Sequence, residues 1–274
     1  MGALAPSTIA GVLDLHCHIL PGIDDGPATV EESVTLARQM ADDDVRAVAA
    51  TPHCRDDHPG VVPAELAERC RRLEEQLREA GVELRLIPAG ELDLVWALEA
   101  PDEQLRLVSY MQRGRDLLVE TPYGPLAGTF EEMLFKLSVR GYRLLLGHPE
   151  RNPSFQRDPG RLAELIQRGT LVQVTASSLA RSPKDSKSAL LAHKLVMDGM
   201  AHVIASDMHG AAAPDRPTLR AGSAAALELV GAARTRWLVW DVPAAILKGG
   251  QLPPMPPAQR PQKGGLRSRL GLGG

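Results

Sequence analysis

The sequence predicts an α/β domain of parallel strands closed as a barrel, and three observations predict it. Short apolar runs rich in Val, Leu and Ile recur along the chain, longer amphipathic segments separate them, and cap or turn residues mark most junctions. The runs fall at 11–16, 46–51, 83–89, 116–120, 142–147, 170–175 and 202–206. Repeated strand–helix units of this kind are the material of a β/α barrel. Between the runs, Thr29 with Glu32 and Thr129 with Glu132 have capping-box spacing, Pro63 and Pro183 suit first helical turns, and Gly81, Gly141, Gly169 and Gly199 stand where helices should stop. Residues 63–80 place Leu66, Leu73 and Leu77 on one face amid charges, the pattern of a solvated amphipathic helix.

The 274 residues divide by composition into a short extension (1–10), one barrel domain (11–248) and a segment rich in Pro, Gly and Arg (249–274), expected to be a mobile tail because it has little to bury. The bulk is that of an ordinary globular chain: 44% hydrophobic and 24% charged, with only 3% aromatic, so the core must be aliphatic. A net charge of -3 gives no overall attraction to nucleic acid or anionic membrane. Three cysteines, Cys17, Cys54 and Cys70, suit a reducing compartment better than a disulfide framework, and neither a leader nor a membrane span is evident, so a cytoplasmic location is expected.

Imidazoles and carboxylates collect at the ends of the apolar runs. The first leads into His16-Cys17-His18, the second into His53, the third into Glu91, the fourth into Glu120, the fifth into His148-Pro149-Glu150-Arg151 and the last into Asp207-Met208-His209. In a β/α barrel the C-terminal strand ends face one shared mouth, so these residues should converge there. Alternation along a strand points His16 and His18 the same way and turns Cys17 into packing. Taken singly, each is as easily a core histidine, a solvated carboxylate or a helix cap. Five of the eight histidines sit at strand ends, whereas His58, His193 and His202 do not and are given no role. More ligands are present than one ion takes, and imidazole with carboxylate and no thiolate suits Mn²⁺, Fe or Zn²⁺.

The run from Asp14 to Pro27, with its His16-x-His18-Ile-Leu-Pro-Gly-Ile-Asp-Asp-Gly core, together with Ala50-Thr-Pro-His53, Gly147-His-Pro-Glu-Arg-Asn152 and Ala205-Ser-Asp-Met-His209, resembles the bacterial capsule and exopolysaccharide tyrosine-protein phosphatases of the polymerase-and-histidinol-phosphatase (PHP) superfamily. The resemblance covers roughly residues 11–250. It implies a distorted (β/α)7 TIM-like barrel holding three divalent ions, Mn²⁺ foremost. His16, His18, Glu91 and Asp207 would hold the first; Glu91, Glu120 and His148 the second; Asp25, His53 and His209 the third, with Asp24 competing for the place of Asp25. Arg151 and Arg216 match the family's phosphate-binding arginines. Cys17 and Arg55 depart from the usual pattern, the second at a place that could alter substrate fit.

The chemistry so implied is hydrolysis of phosphotyrosine by a metal-bound hydroxide, with a tyrosine kinase that regulates polysaccharide export as the protein partner. Cysteine-based phosphatase chemistry is excluded, because the residues six beyond Cys17, Cys54 and Cys70 are Ile23, Gly60 and Gln76 rather than Arg. No Walker-type Gly-Lys-Ser/Thr or Gly-x-Ser-x-Gly elbow is present. The alternatives are a small-molecule phosphatase of the histidinol-phosphate type, a nuclease of the same superfamily, and a non-catalytic regulatory subunit; no nucleic-acid partner and no membrane insertion are expected.

Overall fold

Nine parallel strands form in the computed structural model, which describes residues 11–211 and 218–259. They are β1 (Val12–Cys17), β2 (Val45–Ala50), β3 (His53–Cys54), β4 (Arg85–Pro88), β5 (Glu91–Leu92), β6 (Asp116–Glu120), β7 (Arg143–Gly147), β8 (Leu171–Thr175) and β9 (Val203–Ala205). One sheet has the order β1-β2-β4 and the other β3-β5-β6-β7-β8-β9, with helices in the connections. All seven expected strands are present, to within a residue or two, in this α/β fold with parallel sheets. Strands buried on both faces read as unbroken apolar runs, which is why they stood out: every residue of β1, β6 and β8 is buried.

The extra strands β3 and β5 are the continuations of β2 and β4 past short interruptions. Pro52 has no N–H to give the ladder. The neighbouring groups nonetheless stay paired, Ala89 N–H donating to Ala50 O at 3.1 Å and Glu91 N–H to Pro52 O at 3.1 Å. Gly90 is required at the second interruption, because a Cβ there would stand 2.5 Å from Cys54 Sγ. The outer strands also meet. A parallel bridge joins Cys17 to Met208, flanked by Asp207 N–H to His16 O and His18 N–H to Met208 O, both 2.8 Å. This seam sets His16-x-His18 beside Asp207-x-His209.

The helix Leu66–Glu79 buries Leu66, Cys70, Leu73 and Leu77, and its outer face carries Arg69–Glu65, Arg71–Glu75 and Arg72–Glu68 pairs at i,i+4 spacing. Thr29 caps its helix, its hydroxyl accepting from Glu32 N–H while Glu32 accepts from Ala28 N–H. Thr129 does not: its backbone is near-helical and its hydroxyl faces Met133 Sδ. Pro183 lies in a turn, and Ser186 caps the helix that follows, Lys187–Met197.

The segment expected to be mobile from residue 249 is, through Gln259, laid against the protein. Leu252 and Met255 pack on the core, Trp237 Nε1 donates to Pro253 O at 3.0 Å, Arg234 Nε to Pro256 O at 2.9 Å, and Gln259 N–H to Val230 O at 3.0 Å. Proline-rich chain has little freedom to lose, so few contacts hold it. Residues 260–274 lie outside the described residues. Among the described residues no helix is long and apolar enough to cross a membrane.

Candidate metal centre

The strand ends deliver their side chains to one place. His16 Nε2 and His18 Nε2 stand 3.3 Å apart. Glu91 Oε2, from β5, lies 3.2 Å from the first and 3.3 Å from the second, and Asp207 Oδ1 lies 3.2 and 3.7 Å from them. These four residues each offer a donor atom within 4.8 Å of the others. A second such group comprises His18, Asp25, His53 and His209, with Asp25 Oδ1 at 3.5 Å from His53 Nε2 and 3.4 Å from His209 Nε2. Glu120 and His148 flank the groups: His148 Nε2 is 2.9 Å from Glu91 Oε1, and Glu120 Oε2 is 3.8 Å from His53 Nδ1. Arg151 Nη1 meets Asp207 Oδ2 at 2.5 Å. Arg216 lies outside the described residues.

The donors fit a cation better than they fit one another. Glu91 Oε2 and His53 Nδ1 are 3.1 Å apart and buried, yet neither makes a hydrogen bond, and His148 Nδ1 is likewise unpartnered. Buried polar atoms without partners are costly. First-row ions bind such atoms at roughly 2.0–2.2 Å, so two ligands at right angles are about 3 Å apart. The spacings here match, and the imidazole and carboxylate set is one that Mn²⁺, Fe or Zn²⁺ accepts.

Two partners outside the groups fix which nitrogen is offered. Gln173 Oε1 accepts from His148 N–H at 3.2 Å, which identifies it as the oxygen; His16 Nδ1, 3.0 Å away, must then carry the proton and present Nε2 to the cluster. Asp24 Oδ2 does the same for His18 Nδ1 at 2.7 Å and also accepts from His53 N–H at 3.1 Å, while its Oδ1 accepts from Gly26 N–H at 3.1 Å. Asp24 is thus committed to internal bonds, and Asp25, whose side chain is 55% exposed, is the carboxylate facing the imidazoles. His148 (φ 36) and Asp207 (φ 54) adopt left-handed backbone, strained for non-glycine residues and typical of sites that over-determine their geometry.

Burial and charge compete in setting the ionisation. Burial alone would lower His16 and His18, but Glu91 and Asp207 raise the first to about 9, and Asp24 and Glu91 raise the second to about 10. Conversely, burial works to raise Glu91 and Asp207, and the surrounding cationic groups hold both carboxyls below their usual range. Burial, followed by the charge of Glu91, lifts Glu120 to about 7, and burial lowers His53 to about 4. A proton and a divalent cation would compete for the same nitrogens.

Several residues at the site escaped the sequence reading. Gln173 had a signal, a buried amide inside the apolar run Leu171–Thr175, at the one strand without a ligand at its end. His58, given no role, stacks on His53 with ring centroids 5.5 Å apart and planes 13° from parallel. Arg55, singled out in the sequence for its bearing on substrate fit, reaches Glu120 at 3.6 Å while forking onto Asp57. Tyr123 stacks on His148 at 5.8 Å and faces Arg151. Cys17 is fully buried, as alternation required.

Known proteins resemble this chain in sequence and in fold. Tyrosine-protein phosphatase YwqE of Bacillus subtilis is 30% identical over 199 residues, 72% of this chain and 77% of that protein. The putative tyrosine-protein phosphatase CapC of Staphylococcus aureus is 28% identical over 198 residues, 72% and 77%. A crystal structure from the pair YwqE of B. subtilis and CpsB of Streptococcus pneumoniae, described as unique metal-dependent tyrosine phosphatases, superposes with a TM-score of 0.75 at 25% identity, covering 90% of this chain and 100% of that one. The family model described as capsular polysaccharide synthesis, CpsB/CapC, matches residues 12–248, and the chain therefore belongs to that family.

Proposed function

We propose that the protein is a metal-dependent protein-tyrosine phosphatase, and that the observation carrying this is the convergence of two four-residue ligand groups sharing His18 beside the guanidinium of Arg151. The sheets, joined at the Cys17–Met208 seam, support a distorted seven-stranded barrel of the PHP type, with β3 and β5 counted as extensions of β2 and β4. His16, His18, Glu91 and Asp207 would hold one ion, Glu91, Glu120 and His148 a second, and Asp25, His53 and His209 a third, manganese being the first choice. Buried, unpartnered Glu91 Oε2 supports the occupancy, and the commitment of Asp24 elsewhere supports Asp25 as ligand.

Bound ions of this kind supply an acidified water as nucleophile and neutralise phosphoryl oxygens. The chain's own groups do the rest. Gln173 and Asp24 orient the imidazoles. Arg151, now on Asp207, is placed to turn a second guanidinium N–H toward a phosphoryl oxygen, and charge-assisted bonds of that type strengthen as charge develops. Arg216 is assigned the same role from sequence. The physiological partner on this reading is an autophosphorylated tyrosine kinase of polysaccharide export, and the three free, buried cysteines support a cytoplasmic setting.

The test is metal analysis of the purified protein combined with turnover of a phosphotyrosine peptide, histidinol phosphate and single-stranded DNA. Two or more ions per chain and preference for the peptide are expected. Preference for histidinol phosphate or DNA, or absence of bound metal and turnover alike, would overturn the assignment.

A further inference from the structure

One aromatic side chain at the candidate centre is exposed without any structural need. Tyr123 follows β6 and Pro122, and its side chain is left 62% accessible, although most aromatic residues of this chain are buried. It is not adrift. Its ring lies 5.8 Å from that of His148 with the planes only 19° apart, and its hydroxyl stands 3.5 Å from Arg151 Nη1. One side of the ring is therefore fixed against the imidazole and its tip against the guanidinium, while the remainder borders a cleft of about 620 Å³. Arg151, Asp207, His209, Ser177 and Ser178 also line that cleft.

We infer that Tyr123 is the aromatic wall that selects aryl phosphates, a specificity role that rests on the phosphatase reading and adds to it. A phosphoryl group drawn to Arg151 leaves the rest of its substrate pointing along the Tyr123 ring. If that substrate is phosphotyrosine, its ring meets a parallel, pre-oriented ring within the roughly 4.5–7 Å separation at which aromatic pairs attract. A phosphoserine or phosphothreonine presents only a methylene or a branched carbon there, and its main chain would have to enter the cleft to reach the same guanidinium. Discrimination thus comes from both attraction and reach. Because one face and the hydroxyl of the ring already have partners before binding, little rotamer freedom is lost when substrate arrives.

The inference predicts a split between aryl and non-aryl ligands. In Tyr123→Ala the KM for a phosphotyrosine peptide and the inhibition constant of phenylphosphonate should each rise about tenfold, the size expected for loss of one aromatic pair with its buried area. The inhibition constant of inorganic phosphate and the bound metal should stay within twofold. Tyr123→Phe, which keeps the ring and removes the hydroxyl, should recover most of the loss. Equal weakening of phenylphosphonate and phosphate in Tyr123→Ala would make Tyr123 a positioner of Arg151, and a Tyr123→Phe variant as weak as Tyr123→Ala would assign the effect to the hydroxyl; either result overturns the wall. Failure of the wild-type protein to hydrolyse the peptide would instead sink the phosphatase reading, and calorimetry of phenylphosphonate against phosphate would still decide the role of the ring.

Discussion

Replacing Asp24 with Asn separates the carboxylate that orients the site from the one that faces it. Asp24 accepts three bonds: from His18 Nδ1 at 2.7 Å, His53 N–H at 3.1 Å and Gly26 N–H at 3.1 Å. Asn offers one oxygen in place of two and turns an NH₂ toward a donor, so at least one of the three is lost and the bond to His18 loses its charge. Hydrogen bonds to charged groups contribute about 1.5–3 kcal/mol. Loss of one such partner behind a metal-binding imidazole costs about 10–100-fold in metal affinity, or about 1.4–2.8 kcal/mol. Titrating manganese into metal-stripped Asp24→Asn, followed by phosphatase activity and by calorimetry, should show half-saturation displaced upward by that factor, with activity recovering in excess metal. Asp25→Asn, altering a carboxylate with no competing hydrogen bond, should resist rescue. An unshifted midpoint for Asp24→Asn would refute the orienting role, and a loss that excess manganese does not repair would make Asp24 itself the ligand.

Other perturbations have outcomes just as definite. His148→Ala and Asp207→Asn should remain folded by circular dichroism yet lose at least about 10³-fold in kcat, as removal of groups acting on the reacting centre does; undiminished turnover would contradict the site. His202 is pushed down to about 4 by burial, its Nδ1 accepting from Val172 N–H. The unfolded chain therefore binds a proton below pH 6.5 that the folded chain refuses, so stability falls as pH drops from about 6.5 to about 4, by on the order of 2 kcal/mol after allowance for partial exposure. Urea titrations of wild type and His202→Asn should converge over that window, and a constant difference would exclude the mechanism. Truncation after Gly249 removes the partners of Trp237, Arg234 and Val230 and should lower Tm by several degrees, a loss of about 2 kcal/mol; an unchanged Tm would mean the segment only rests on the surface.

What could be read in advance follows from what is local. Strands buried on both faces announce themselves as apolar runs, and ligands at their ends inherit their convergence from the parallel arrangement, so His16, Glu91, His148 and Asp207 were legible before any coordinates. The orienting groups were not. Gln173 and Asp24 take their roles from a neighbour far along the chain or across a turn; spacing favoured Asp25 over Asp24 as the facing carboxylate, but only the three bonds of Asp24 give the physical reason. His58 was dismissed because it ends no strand, yet a turn folds it back over His53. Through Gln259 the chain is held where composition, which counts apolar mass, gave no reason for it: carbonyl oxygens of a stiff proline-rich stretch accept from Trp237 and Arg234. Thr129 had the spacing of a cap, but its backbone turned near-helical one residue early.

The seam between β1 and β9 has a consequence for how the molecule comes into being. Asp207-x-His209 is synthesised some 190 residues after His16-x-His18, as the separation of Ser206 from Asp14 records. Contacts so distant along the chain form last, after shorter loops have closed. A polypeptide ending before β9 would carry seven of the nine proposed ligands but neither Asp207 nor His209, so on the proposed reading the cluster closes only with that last strand.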